Sequence, residues 1–267
     1  MHNFKKEFGQ NFLKNSKFAK SLVSNLELTD KDTIIEIGPG DGMVTKLLLE
    51  SGAKVIAFEV DDDLIPRLSS QFAAYSNFTL VHQSILDANI KETVERTTQE
   101  GDIKVVGSLP YNISKKIIDI FLKFNLNSTE LKVKVCAFII QEEVAKDYAV
   151  LAPKASFLSS YSRVFAKVRK LESIPRFMFF PEPKVNGGII RFEIKESIPN
   201  NSLEIVNLIR IGFSNPRKTL LNNLKSSGKY NSDQIQALYT ELNLSLTIRP
   251  AEIEASIWEK MYSILNS

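Results

Sequence analysis

The chain has 267 residues, 43% of them apolar, enough for one medium α/β domain and a smaller appendage with real cores. Its 34 basic and 31 acidic side chains leave a net charge of +3, so a nucleic-acid surface has to be sought in local clusters rather than in the total. One cysteine, Cys136, excludes an internal disulfide, and with only His2 and His82 beside it no zinc-ligand spacing exists. No apolar run is long enough to span a bilayer and the N-terminus lacks a hydrophobic signal core, so a cytoplasmic chain with no metal and no membrane partner is expected.

Positive charge gathers first at the N-terminus, where Lys5, Lys6, Lys14, Lys17 and Lys20 face only Glu7. Apolar residues at spacings of three and four predict a helix in FAKSLVSNL (18–26), and the β-branched run TIIEIG (33–38) predicts a strand. Further strands are predicted at KVIAFEV (54–60), FTLVHQ (78–83), IKVVGS (103–108) and VKVCAFII (133–140), the last holding a buried Cys136. Helical patterns in MVTKLLLESG and ISKKIIDIFLKF fall between them, and this alternation predicts a parallel sheet wrapped by helices. Arg163, Lys167, Arg169, Lys170 and Arg176, opposed only by Glu172, form a second basic cluster that reads either as a solvated face or as a nucleic-acid surface. IPRFMFFPEPKVNGGIIRFEI reads as two late strands around a Pro-rich turn, and KESIPNNS marks a boundary. From about residue 202 four short helices follow with no strand among them. The expected fold is α/β, a Rossmann-like sheet over residues 1–195 followed by a small all-helical domain over 196–267.

The segment Glu36-Ile37-Gly38-Pro39-Gly40-Asp41-Gly42 leaves a predicted strand and enters a helix, so its glycines allow close approach of a ligand to free backbone N–H groups. A tight turn alone would also use glycines. A dinucleotide site asks for a third glycine three residues after the second, where this chain has Met43. Glu59, at the end of the next strand, can accept both hydroxyls of an adenosine ribose. Gly-x-Gly-x-Gly with such an acid is the usual arrangement for S-adenosylmethionine.

The strand at 103–108 ends in Ser108-Leu109-Pro110-Tyr111-Asn112, at the sheet edge where open α/β folds bind ligands. The exocyclic amine of adenine is a poor nucleophile, because its lone pair is delocalised. It needs to be held in line with a sulfonium methyl while its N–H bonds are accepted. Ser108 and the Leu109 carbonyl can accept, and Tyr111 can stack on the base. A Leu-Pro-Tyr turn also occurs in ordinary loops.

These segments, together with Gly9-Gln10-Asn11-Phe12-Leu13, Gln141-Glu142-Glu143-Val144-Ala145 and Phe179-Phe180-Pro181-Glu182-Pro183-Lys184-Val185, resemble the ribosomal RNA adenine dimethyltransferases. That family includes the small-subunit dimethyladenosine transferases and the macrolide-resistance rRNA methylases. Arg217-Lys218-Thr219-Leu220 and Ile248-Arg249-Pro250-Ala251-Glu252 look more like the small-subunit type. The resemblance implies that Asn11 and Leu13 close over S-adenosylmethionine, that Gly38 and Gly40 line it and that Glu59 holds its ribose. It also implies that Phe179 joins Tyr111 in sandwiching a flipped adenine, although Phe179 reads equally as core packing. The substrate implied is rRNA within a small ribosomal subunit or its precursor, gripped by the basic clusters and the helical domain, with the enzyme a monomer. Two positions depart from the family pattern: Ser84 stands where Asp is usual, beside the cofactor's adenine amine, and Ser108 where Asn is usual. Asp87 is a candidate replacement for the carboxylate missing at 84. Two other readings follow, a large-subunit methylase conferring macrolide resistance and an RNA-binding assembly factor that has lost catalysis.

Overall fold

The computed structural model describes residues 11–96, 102–127 and 131–266. In chain order the first elements are β1 (Phe12–Leu13), α1 (Ser16–Ser24), β2 (Thr33–Ile37), α2 (Met43–Glu50), β3 (Lys54–Glu59), α3 (Ile65–Gln71), β4 (Phe78–His82) and α4 (Ile90–Glu95). Then come β5 (Ile103–Ser108), α5 (Ser114–Lys123), β6 (Val133–Gln141), α6 (Glu142–Ala149), α7 (Phe157–Phe165), β7 (Ala166–Ile174), β8 (Phe179–Phe180) and β9 (Gly187–Ile194). The chain ends with α8 (Ser202–Gly212), α9 (Leu220–Ser226), α10 (Ser232–Glu241) and α11 (Ala255–Leu265). The five strands expected from 33 to 140 all form. They lie in one seven-stranded sheet of order β4-β3-β2-β5-β6-β9-β7, parallel from β4 to β6 and antiparallel at β6–β9. All five residues of β2 are buried, the pattern of a strand covered on both faces. Cys136 is buried in β6, and burial pushes its thiol pKa up.

β7 was not expected. Its exposed Lys167 and Arg169 alternate with buried Ala166 and Val168, as on an edge strand with one face in water, and Lys170, Leu171 and Glu172 are half-buried before exposed Ser173 and buried Ile174. The residues that read as a basic cluster are thus largely a strand.

By contacts the chain divides into two compact units, one reaching to Ala145 and resuming at Arg169–Ile194, the other made of Lys146–Val168 and the segment from Lys195 onward. This corrects the single boundary expected after residue 195. Residues 146–168 belong with the helical segment because α7 is amphipathic and its aromatic face packs there. Phe157 stacks on Tyr161 at 5.8 Å and meets Phe213 edge-on at 6.4 Å, and Phe213 lies 5.9 Å from the fully buried Trp258. In the same unit the Arg163 guanidinium donates to the carbonyls of Tyr148 (2.9 Å), Ala149 (2.9 Å) and Ser159 (3.1 Å), closing the C-terminal end of α6.

In the sheet unit, the amino ends of β2 and β5 are joined by a buried ion pair. Lys104 Nζ donates to Asp32 Oδ2 at 2.9 Å and to the Glu27 carbonyl at 2.6 Å. Burial would raise the Asp32 pKa, but hydrogen bonds from Lys104 and Thr29 outweigh it and hold the carboxyl below its ordinary value. Removing the cation leaves that carboxylate buried and unpaired. Lys104→Ala is therefore expected to lower unfolding free energy by about 3–5 kcal/mol, read from urea denaturation, with the double variant Lys104→Met/Asp32→Asn restoring much of the loss. Arg163→Ala is expected to cost about 1.5–3 kcal/mol through the lost charge-assisted bonds. Arg169→Glu should stay within about 0.5 kcal/mol of the parent by thermal melting, as surface changes do.

Candidate active site

β2 and β5 lie side by side and parallel, with Ile37 opposite Gly107, while β3 continues outward from β2 and β6 from β5. Strand order reverses at this junction, which opens a crevice beyond the carboxyl ends. Two loops border it, 38–42 after β2 and 109–113 after β5.

The first loop needs its glycines. Gly38 and Gly40 have φ of +65° and +59°, and a Cβ on Gly40 would come within 2.5 Å of the Phe12 ring. Gly38 N–H donates to the Phe58 carbonyl, tying the loop to the neighbouring strand β3. Asn11, Leu13, Gly38 and Gly40 all line the pocket, as do Glu59, Ser84, Ser108 and Pro110. The residues expected to meet a cofactor are thus brought together. The expected contacts with a target base are less complete. Leu109 is buried outside the lining, and Tyr111, the residue after Pro110, is half-buried with its hydroxyl enclosed and unpartnered among the described residues. Burial pushes the Tyr111 pKa up to about 12.

Phe179 does not face the pocket. It is 1% exposed within the sheet-unit core, its ring close against Gly187. The β1–β8 ladder explains this: Leu13 opposes Phe179 and Phe12 opposes Phe180, so alternation buries the first pair and leaves Phe180 53% exposed. Asp87 is likewise exposed and outside the lining, so it does not replace a carboxylate at 84. The Ser84 hydroxyl instead accepts from Leu86 N–H at 3.2 Å, and the neighbouring Gln83 lines the pocket. Gly9, Gln10, Lys5 and Lys6 lie outside the described residues.

Three carboxylates line the pocket, Glu36, Asp41 and Glu59, and no lysine, arginine or histidine among the described lining residues opposes them. Glu59 Oε1 accepts from Val60 and Asp61 N–H at 2.8 and 3.0 Å, and Oε2 from Gly40 N–H at 3.4 Å. Burial nonetheless raises its pKa above the ordinary value. Glu36 and Asp41 were part of the glycine motif but had no assigned role. Glu36 is fully buried, and burial, opposed by the Thr45 hydroxyl and reinforced by the nearby Glu59 and Asp41 charges, pushes its pKa up to about 8.

Residues 1–266 match the family described as Ribosomal RNA adenine dimethylase. The chain belongs to that family. The dimethylase is 33% identical over 268 residues, 99% of both chains, to Ribosomal RNA small subunit methyltransferase A of Mycoplasma mobile. It is 31% identical over 281 residues to the protein of the same name from Clostridioides difficile, covering 100% of this chain and 93% of that one. Among solved structures, the 23S rRNA methyltransferase ErmE superposes with a TM-score of 0.77 at 20% identity, over 96% of the dimethylase and 100% of ErmE. A dimethyladenosine transferase from Plasmodium falciparum gives 0.74 at 22% identity, over 94% and 95%. Likeness at those identities establishes the shared fold. The family's cofactor is S-adenosylmethionine, and the lining fits it: an acid-rich pocket without basic side chains suits a cationic ligand, and the glycine loop admits it against bare backbone.

If Glu59 holds ribose hydroxyls, Glu59→Ala should weaken cofactor binding by roughly 1–3 kcal/mol, measured by calorimetry. An unchanged dissociation constant would remove Glu59 from that role.

Proposed function

We propose that this dimethylase transfers methyl groups to N6 of two adjacent adenosines in the hairpin loop near the 3′ end of small-subunit rRNA, acting on the small subunit or its precursor in the cytoplasm. The observation that carries the reading is that Ser108 and Pro110, on either side of buried Leu109, open the turn after β5 onto the acid-lined crevice. Relatives named for the small subunit, aligned over nearly the whole chain, support the choice of target.

Within the pocket, Gly38 and Gly40 present backbone to the cofactor, Glu59 takes its ribose, Asn11 and Leu13 cover it, and Ser84 lies beside its adenine. Bound there, S-adenosylmethionine supplies an electrophilic methyl on a sulfonium. The turn after β5 is organised to meet an amine. Pro110 carbonyl accepts from Ile113 and Ser114 N–H at 3.2 and 3.0 Å, and Tyr111 carbonyl from the Ser114 hydroxyl at 3.3 Å. The Ser108 hydroxyl and Leu109 carbonyl take no part in these bonds and accept the two N6 hydrogens as the nitrogen pyramidalises. Tyr111 stacks on the base; a loop nucleotide can be splayed out to reach it. Phe179 is left to the core. Exposed Arg169 contacts RNA phosphate, whereas Arg163 is committed to carbonyls, Lys170 to Ser173 at 2.7 Å and Arg176 to Glu182 at 3.0 Å.

The deciding experiment incubates the protein and labelled S-adenosylmethionine with separated ribosomal subunits and precursor particles, then maps modified adenosines. Label in the large subunit would overturn the target, and cofactor binding without transfer would make the chain an assembly factor. Tyr111→Ala should slow transfer about 5- to 150-fold with cofactor affinity nearly intact, because a lost stacking platform costs about 1–3 kcal/mol per base. Ser108→Ala should slow turnover at unchanged cofactor affinity, while Ser108→Asn preserves or raises it. Equal rates for all three residues at 108 would show that the hydroxyl does not accept from N6.

A further inference from the structure

Glu36 interrupts the buried strand β2 with a carboxylate that is 1% exposed, and its Oε2 has no hydrogen-bond partner among the described residues. The other two acids of the pocket are provided for. Glu59 accepts from three backbone N–H groups, and Asp41 Oδ1 accepts from Met43 N–H at 3.2 Å. The titratable groups facing Glu36 are these two, from β3 and from the loop after β2, while the residues that β1, α2, β5 and α5 bring to the pocket are uncharged. A buried carboxylate beside two acids and no base is held in its neutral form until a cation arrives.

We propose that Glu36 is the group by which the pocket distinguishes cofactor from spent product, giving up its proton when S-adenosylmethionine binds and keeping it when S-adenosylhomocysteine binds. The inference rests on the assignment of this pocket to the cofactor. The two ligands share an amino and a carboxylate group and differ by the fixed positive charge on sulfur. In the protein without ligand Glu36 is protonated up to about pH 8. The sulfonium charge, brought against a buried carboxylate, lowers that value, so the proton leaves to solvent on binding. The sign follows from linkage. A group whose pKa falls on binding makes binding tighter as pH rises through the interval, with the full gain above the free-state value. Once the methyl group has departed, the ligand is a neutral thioether and the ionised Glu36 faces Glu59 and Asp41 uncompensated. It takes a proton from solvent, and the product loses its electrostatic hold.

Isothermal calorimetry on the intact chain tests this, with each ligand titrated in two buffers of different ionisation enthalpy between about pH 6 and pH 8, the interval below the raised value. S-adenosylmethionine should release up to one proton more than S-adenosylhomocysteine, and its affinity should rise up to about tenfold per pH unit, against less than about twofold for the product. In Glu36→Gln, a neutral isostere of the protonated form, the excess release should vanish and the preference for S-adenosylmethionine should shrink. Retained product affinity shows that this variant is folded. Equal proton release for the two ligands in the parent protein, or an excess that persists in Glu36→Gln, overturns the proposal while leaving the cofactor assignment standing. Failure of both ligands to bind overturns both.

Discussion

The rest of the structure depends on one adjacency, the parallel pairing of β2 with β5. Because β3 is laid down on the far side of one and β6 on the far side of the other, no helix closes the space beyond their carboxyl ends. The glycine loop hangs from one strand and the Leu-Pro-Tyr turn from the other. Gly107 keeps the two strands close at that end, since a Cβ there would sit 2.6 Å from the Ile37 carbonyl oxygen. The acid-lined pocket and the Leu-Pro-Tyr turn are thereby fixed with respect to one another by a backbone ladder, which is stiffer than any side-chain contact.

The two ends of this strand pair treat buried charge in opposite ways. At the amino ends the Lys104 cation and the Asp32 carboxylate satisfy one another, and the pair serves only the fold. At the carboxyl ends three acids gather without a base, an arrangement that disfavours the free protein and favours any cation entering it. Placing the unsatisfied charge where a ligand arrives, and the satisfied charge at the opposite rim, separates stability from binding along a strand of five residues.

The interior strands were legible in sequence because burial on both faces writes a continuous β-branched run. β7 was not, since an edge strand with one wet face carries charges at every second position and resembles a solvated cluster. The pocket-lining residues were legible for a related reason: backbone geometry demands particular residues, glycine at 38 and 40, in a fixed order. Phe179 was not resolved from Phe180 by type or spacing; only the register of β8 against β1 decides which ring turns inward. Asp87 failed because its three-residue offset from Ser84 crosses a turn, where side-chain direction follows no simple period. Glu36 was present as a letter of the motif, and its chemical interest emerged only when its surroundings proved to lack any base.

The helical unit is written in two separate stretches of chain, with α6's last turns and α7 lying in sequence between two strands of the sheet. It is therefore inherited as an interleaved text rather than an appendix. A recombination breakpoint after β9 would carry α8 through α11 into a new host without the helix whose Phe157 and Tyr161 complete their aromatic core, and would leave that helix behind with its apolar face bare. Exchange of this unit between relatives requires coordinated breakpoints before Lys146, within β7 and after β9, which ties the evolution of the C-terminal helices to that of a segment about fifty residues upstream.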